Sequence, residues 1–525
     1  MPGINTSMGT HASMKSLLKT EREMLSAMER ISSGKRINHA GDDAAGAAIS
    51  DRMSATIRAL EMSVRNAADV LSMAQVAEGA LDEHSQALQR IRELSIQAAT
   101  DILNAEQRVY LQNEVNQLLD EMDRVSRDTT FNEIAVLDGT FADRRFQIGS
   151  HEREKATVSI ANLRNDSLGA YQASTEHTDG QSNLAANAKL GATKAGITSD
   201  VVDADDFNIT GLLGTSTISI ADGNTAKEVV NLVNDKFDAT GVSATATTTV
   251  RLRIKSSVIN GTDKVVSMNV YGKNSAAQSI TAAIDIGTSF ETSDLSDLRD
   301  QFNSYSSVTG ITATLSADGT SIMLVQDEGE PIIIENLDFA DVTTDVTTTE
   351  LEATSFDLAQ STAGTSLAVY DSSRNGGSAG DSDSFRVDGI VTFHSSQSFS
   401  IVPANPDGGL FESSAVASTL NKISTINITT MAGAVDALKV VDRALDRIHM
   451  ERAKFGALMS RMNVVIDNLT NISQNQKASQ SRILDADFAK ESSRLAKSQI
   501  LQQSAMNMIA QASRTMQNVL VLFQG

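Results

Sequence analysis

Three stretches of the chain carry residue types at spacings that could do chemistry. GDDAAG, residues 41–46, sets two carboxylates between two glycines, a grouping that could hold a cation or cradle a phosphate. His151-Glu152 begins like the helix of a zinc protease, and DSDSFRVDG, residues 381–389, alternates carboxylates like a calcium loop. The last two fail on their own chemistry. A zinc helix needs a second imidazole one turn on, and Glu154 and Lys155 follow instead. In the calcium frame Phe385 takes the fifth position, where an oxygen ligand belongs, and no glutamate closes the loop. That stretch reads as a solvated acidic turn. The remaining histidines, His11, His39, His84, His177, His394 and His449, are scattered. There is no Walker-type phosphate loop, no GxSxG elbow and no strand-linked GxGxxG. With no Cys the chain has no thiolate ligand, cysteine nucleophile or disulfide. An enzyme is not expected, and neither a metal nor a cofactor.

GDDAAG then has a purely structural reading. Gly34 suits the left-handed position that ends a first helix. Asp42 can cap the next helix, and Asp43 in its first turn complements the positive end of its dipole. Lys35 and Arg36 stay near the preceding helix's negative end, and Gly41 completes a short joint between two helices.

The elements around this joint are long helices. Three of the four prolines (Pro331, Pro403, Pro406) lie in the middle and the fourth is Pro2, so both ends can form uninterrupted helices. Apolar residues recur at steps of three and four through Ile49, Met53, Ile57, Leu60, Val64, Ala67, Leu71 and Ala74. Asn104, with Gln107 three residues on, marks the start of a further helix to about Arg127. Leu438, Val441, Leu445, Ile448, Arg452, Phe455, Met459, Met462, Ile466 and Leu469 keep the same rhythm without a slip, the mark of a coiled coil. Weaker seams run through Met14, Leu17, Met24, Met28 and Ile31, with Glu21 as the exception, and through Ile509, Ala512, Met516, Val519 and Phe523.

From about residue 170 the character changes. Residues 171–430 hold 33 Asp and Glu against 13 Lys and Arg, so nearly all of the net charge of -22 sits there. Such an acidic middle disfavours nucleic acid and anionic membranes as partners. No stretch reaches the roughly 18 apolar residues of a membrane span. The start, MPGINTSMGTHASMK, shows no basic segment followed by an apolar run, so no secretory signal is expected. Short alternating runs such as TSTISIADG, VRLRIKSS, VVSMNVYG and TSIMLVQDE read as strands. KEVVNLVNDKFDATGVSATATTTVRLRIKS and SDLSDLRDQFNSYSSVTGITATLSADGTSIMLVQDE look like two copies of one α+β unit, an amphipathic helix, a glycine turn and then a hairpin, with Gly241 and Gly310 in equivalent turns. The expected fold class is therefore mainly α-helical terminal coiled-coil domains with an inserted α+β, β-rich outer region.

Several of these stretches together resemble one family. ISSGKRINHAGDDAAGAAI is similar to the N-terminal signature of bacterial flagellins, as are LQRIRELSIQAA (88–99), DEMDRVSRDTTFNEIAVLDG (120–139) and FQIGS (146–150). The end, SRILDADFAKESSRLAKSQILQQSAMNMIAQASRTMQNVLVLFQG, resembles the flagellin C-terminus. Departures are His39 and Gly41 in the joint, Ala47 where a bulkier aliphatic is usual, and Glu133 where glycine is usual.

The resemblance implies three domains: residues 1–44 with 481–525 as an inner paired-helix core, 45–170 with 430–480 as a helical bundle with a hairpin, and 171–429 as an outer variable region. In the last, the two modules would span about 205–258 and 265–337. It implies a filament subunit that leaves the cell unfolded through the flagellar export apparatus, aided by a chaperone on its C-terminal helix. The subunit would polymerise through its terminal helices and meet cap and hook-junction proteins. A junction protein and an adhesive outer domain are the alternative readings. By the same resemblance Arg90, Leu94 and Glu114 match positions seen by the vertebrate Toll-like flagellin receptor, with Arg90 and Leu94 four apart and so on one helix face.

Overall fold

The computed structural model describes residues 8–100, 102–175, 189–191, 206–221, 223–254, 264–284, 295–316, 319–340, 351–356, 363–369, 384–404, 411 and 415–523. Without a proline inside any of them, the two ends form the long helices α1 (Met8–Ser33), α2 (Ala44–Ala98) and α3 (Ala105–Asp128), and, at the other end, α6 (Met431–Leu484) and α7 (Phe488–Phe523). Helix α3 starts where its sequence says. The Asn104 side chain accepts from the Gln107 N–H while the Gln107 side chain accepts from the Asn104 N–H. Between the ends lie α4 (Ala226–Asn234), α5 (Ser296–Ser304) and the strands. In chain order these are β1 (Thr130–Phe131), β2 (Ile134–Ala135), β3 (Arg144–Gln147), β4 (Lys155–Val158), β5 (Gly169–Ser174), β6 (Lys189–Gly191) and β7 (Phe207–Thr210). There follow β8 (Thr215–Ile218), β9 (Ser243–Ile254), β10 (Lys264–Tyr271), β11 (Gln278–Ile284), β12 (Ile311–Leu315), β13 (Ser321–Gln326) and β14 (Ile332–Ala340). The last are β15 (Leu351–Phe356), β16 (Ala363–Val369), β17 (Ser384–Val387), β18 (Ile390–Ser395), β19 (Ser400–Pro403), β20 (Val416–Ala417) and β21 (Thr419–Lys422). Helical ends with a β-rich insertion are the class that the periodicities indicate.

The chain packs as two units. The first comprises Met1–Val76, Ala142–Ser159 and Lys454–Gly525. In it α1 lies along α7, and the first part of α2 runs antiparallel to the second part of α6, joined by Glu61–Lys477 at 2.6 Å and by Gln480 donating to the Ser50 carbonyl at 3.1 Å. The β3–β4 hairpin is fastened to α2 by Asn66 donating to the Gln147 carbonyl. His151 falls in the turn of this hairpin rather than on a helix, which removes any helical pairing of imidazoles there.

The second unit comprises Ala77–Phe141 and Ile160–Ala453. Here the rest of α2 packs with α3, linked by the buried His84 and Ser126 at 2.8 Å, and Arg92 meets Asp442 on α6 at 2.7 Å. Its largest sheet runs β12-β13-β9-β18-β5-β21, with β15 and β16 attached to β9. A five-stranded sheet runs β11-β10-β14-β17-β6 and a four-stranded one β20-β19-β7-β8. Among the described residues the strands enclose one apolar core around Phe302, Phe385 and Val270 and another around Phe207, Phe393 and Phe411, whose ring centroids lie 5.5 to 5.9 Å apart. This two-unit division groups the residues differently from the expected three domains.

The coiled-coil stripe of α6 packs as its spacing requires. Val441, Leu445, Ile448, Phe455, Met462 and Leu469 are buried, and Leu438, Met459 and Ile466 are half-buried. Arg452, which interrupts the apolar set, reaches Asp82 at 3.1 Å. The two α+β pieces share their geometry in detail. Each has a hairpin (β7–β8, β10–β11), a helix (α4, α5), a one-turn helix (Phe237–Thr240, Ser306–Thr309) and a strand (β9, β12). Gly241 and Gly310 both end the one-turn helix at a φ of 72°. Asn234 and Asn303 each exchange two hydrogen bonds with the backbone of the following strand, at Ala244 and Ala313. Gly211 and Gly272 each lie so close to a carbonyl, of Thr240 and Thr309, that a side chain could not fit.

Candidate functional site: the paired terminal helices and their joint

The joint is held by the two carboxylates in different ways. Asp43 caps α2: its Oδ1 accepts from the Gly46 N–H at 2.9 Å, three residues into the helix. Asp42 was expected at that position. It instead turns back to accept from the N–H groups of Asn38 and His39, both at 3.1 Å, and so closes the loop before the helix. The hydrogen bond from the His39 N–H, then that from Asn38, holds the Asp42 carboxyl below its usual range. Gly34 takes a φ of 68°, as a left-handed helix end requires. Gly41 has open space around it and an ordinary φ, so nothing local demands a glycine there. Gly46, which sequence reasoning passed over, is the constrained one: a Cβ would run into the Asp43 carboxylate and Ile37.

Arg36 corrects a second expectation. Its guanidinium does not serve α1. It donates to the Ile483 carbonyl at 2.8 and 3.2 Å, while its backbone N–H donates to the Leu484 carbonyl at 2.6 Å, so it caps the end of α6. Ala486 N–H donates to the Gly34 carbonyl at 2.9 Å, and Lys35 bridges Asp485. The α1–α2 and α6–α7 connections are thus zipped together. Two ion pairs lead from them into the helix pair: Arg30 lies 3.7 Å from Asp42 and 3.7 Å from the buried Glu491. Sequence reasoning passed over Glu491, which shares its seam with the polar Ser498 and Gln502.

Each terminal helix carries an inward stripe of mixed apolar and polar residues beside an outer set of large apolar ones. On α1, Ser13, Leu17, Thr20, Met24, Ala27 and Ile31 are buried or half-buried. On α7 the same alternation of fours and threes runs through Glu491, Leu495, Ser498, Gln502, Ala505 and Ile509. The expected seam therefore divides: Leu17, Met24 and Ile509 lie toward the helix pair, whereas Met14 (57% exposed) and Met28 (49%) belong to an outer stripe with Leu18 and Leu25. On α7, Ile500, Leu501 and Met508 are exposed in the same way. Met516 and Val519 lie within α7, with their side chains outside the described residues.

In the second unit Arg90 and Glu114 are brought together at 2.8 Å, with Glu93 alongside, on an exposed surface. Leu94 does not join them. It is 1% exposed, because a four-residue step turns about 40° round the helix and carries it into the core. Among the described residues no group of three His, Asp or Glu is placed to hold a metal ion, and no helix is long and apolar enough to cross a membrane.

Long helices paired side by side, a β-rich insertion and exposed apolar side chains on the terminal helices are the features of a structural protein. Comparison with known proteins gives the family. Residues 4–142 match the bacterial flagellin N-terminal helical region, 438–523 the bacterial flagellin C-terminal helical region, and 206–258 the flagellin hook IN motif. The chain is 32% identical to the B-type flagellin of Pseudomonas aeruginosa over 99% of both chains. It is 28% identical to flagellin C of Vibrio anguillarum, over 97% of this chain and 96% of that one, and 28% identical to flagellin B of Helicobacter pylori over 99% of both. The chain belongs to the flagellin family, and its role is that of a structural subunit of the flagellar filament. Flagellins form that filament outside the cell.

Proposed function

We propose that this chain polymerises with copies of itself through the outer apolar stripes of α1 and α7, in an extracellular filament. The observation that carries this is the exposure of Leu18, Leu25, Met28, Ile500, Leu501 and Met508 on two helices already paired with each other. Each such side chain contributes roughly 1.5 to 3 kcal/mol when buried, so several together drive association. In this reading residues 1–44 with 481–525 line the filament core, 45–170 with 430–480 surround them, and 171–429 face outward. The chain would reach the filament unfolded through the flagellar export apparatus, with a chaperone on α7, and would meet the cap and hook-junction proteins there. Its work is mechanical, with no catalytic step. Arg90 and Glu114 would form the surface met by the vertebrate Toll-like receptor, and Leu94 would support it from beneath.

Deleting residues 8–33 or 488–523 tests the polymerisation reading. Electron microscopy should show no filaments from either variant while the remaining helices keep their circular dichroism signal. Filaments from either variant would refute it.

A further inference from the structure

The central sheet buries a polar face beneath α6. Gln172 on β5 stands opposite His394 on β18, and Thr392 on β18 stands opposite Ser174 on β5 and Thr245 on β9. Directly opposed residues of antiparallel strands point to the same side. The alternate residues Ala173, Ala244, Val391 and Phe393 face the other way, into an apolar core. Helix α6 crosses the polar side: Asn421 donates to both Gln172 (3.1 Å) and Asp436 (3.4 Å), and Gln397 donates to the Met450 sulfur at 3.4 Å. Lys439 and Arg443, three and seven residues beyond Asp436, lie on that same helix face between the two anchor points.

Polar groups in this layer outnumber their partners. His394 is 3% exposed; its Nε2 lies 3.0 Å from the Thr245 hydroxyl, yet its Nδ1 has no partner. The Gln172 amide nitrogen and the Thr392 hydroxyl are also buried without partners. The Gln172 carbonyl oxygen already accepts from Asn421, which also donates to one Asp436 oxygen. Unmatched buried donors are costly, so a layer of this kind calls for an acceptor with several oxygens.

We propose that Lys439, Gln172, Thr392 and His394 form a binding site for a small inorganic oxoanion of the phosphate type, held between the sheet and α6. Burial lowers the Lys439 ammonium's pKa, against the opposing pull of Asp436 and Asp327, and a bound anion would oppose that shift. Burial, and after it the charges of Lys439 and Arg443, push His394 down to about 3. The imidazole is therefore neutral, free to accept from Thr245 at Nε2 and to offer an N–H at Nδ1. Gln172 and Thr392 add donors from two neighbouring strands, and the anion would tie the sheet to the helix.

The test titrates inorganic phosphate, and separately chloride, into the soluble full-length chain at constant ionic strength near neutral pH. Calorimetry should show one saturable site for phosphate and not for chloride, with a matching rise in the thermal midpoint. Lys439→Met should weaken binding by roughly tenfold or more. Gln172→Glu keeps the acceptor that Asn421 uses while placing negative charge in the site, so it should abolish binding and serves even where Lys439→Met does not fold. No saturable heat with the natural chain overturns the proposal, and so does a Gln172→Glu variant that binds as before, which would mark an adventitious ion only.

Discussion

Glu133 sits at a φ of 64°, beside Asn132 at 50°, in the two-residue turn between β1 and β2. Two positive φ values in succession define the mirror-image turn that suits a hairpin's twist, and glutamate adopts that region at a cost of about 1 to 2 kcal/mol. Glu133→Gly should stabilise the protein by about 0.5 to 1 kcal/mol, the relief being partly offset by the entropy of an added glycine. Chemical denaturation measures it, and a lower midpoint would mean that the turn stores no strain. Asp42 gives a prediction with pH. Its folded pKa is depressed, chiefly by the His39 N–H, so its contribution is full above the ordinary value of 3.8 and lost as pH falls through the lower folded value. Amide exchange at Asn38 and His39 should accelerate in that acid window. Asp42→Asn should flatten the dependence, and an unchanged pH profile would count against it. The carboxylate pair was legible in the sequence as a helix joint, but its division of labour was not. Asp42 and Asp43 stand one residue apart at a helix start, and only the path of the Asn38–His39 loop decides which one caps.

At the scale of elements, periodicity revealed the most where a helix has a single apolar face. The α6 stripe from Leu438 to Leu469 is buried or half-buried throughout, with its one charged member paired to Asp82. Helix α1 has two neighbouring stripes, so a reading by threes and fours alone mixed Met14 and Met28 with Leu17 and Met24. Capping across the joint was not readable either, because Arg36 and Ile483 are 447 residues apart and nothing local links them. Arg36→Ala should leave each helix formed and loosen the zipped connection, at a cost of about 1 kcal/mol for exposed charge-assisted bonds. Hydrogen exchange should quicken together at residues 34–38 and 484–487. Faster exchange on one side only would show that the two connections are independent.

Over the whole molecule, the β-rich insertion begins and ends at one place. The Ile423 N–H donates to the Leu168 carbonyl at 2.9 Å, and Gly169 pairs with Lys422, so its two ends are already adjacent. Replacing residues 169–422 by a linker of about four Gly and Ser residues should therefore leave the helices folded and able to polymerise. Loss of polymer with the helical signal intact would show that the insertion is needed for assembly. The acidic middle was legible from composition, and the repeated unit from its helix and glycine turn, but a hairpin follows the turn only in the second copy, as β12–β13, whereas β9 runs on as one strand. The polar layer beneath α6 was not, because which face of a strand meets a helix depends on pairing between β5, β9, β18 and β21. The central claim is that the outer apolar stripes of α1 and α7 are the polymerisation surface. Its most direct test is sedimentation of the full chain carrying Leu18→Glu and Met508→Glu, both at exposed positions, beside the natural chain under assembly conditions. The natural chain should pellet as filaments while the double variant, equally helical, stays in the supernatant; a variant that pellets to the same extent would contradict the account.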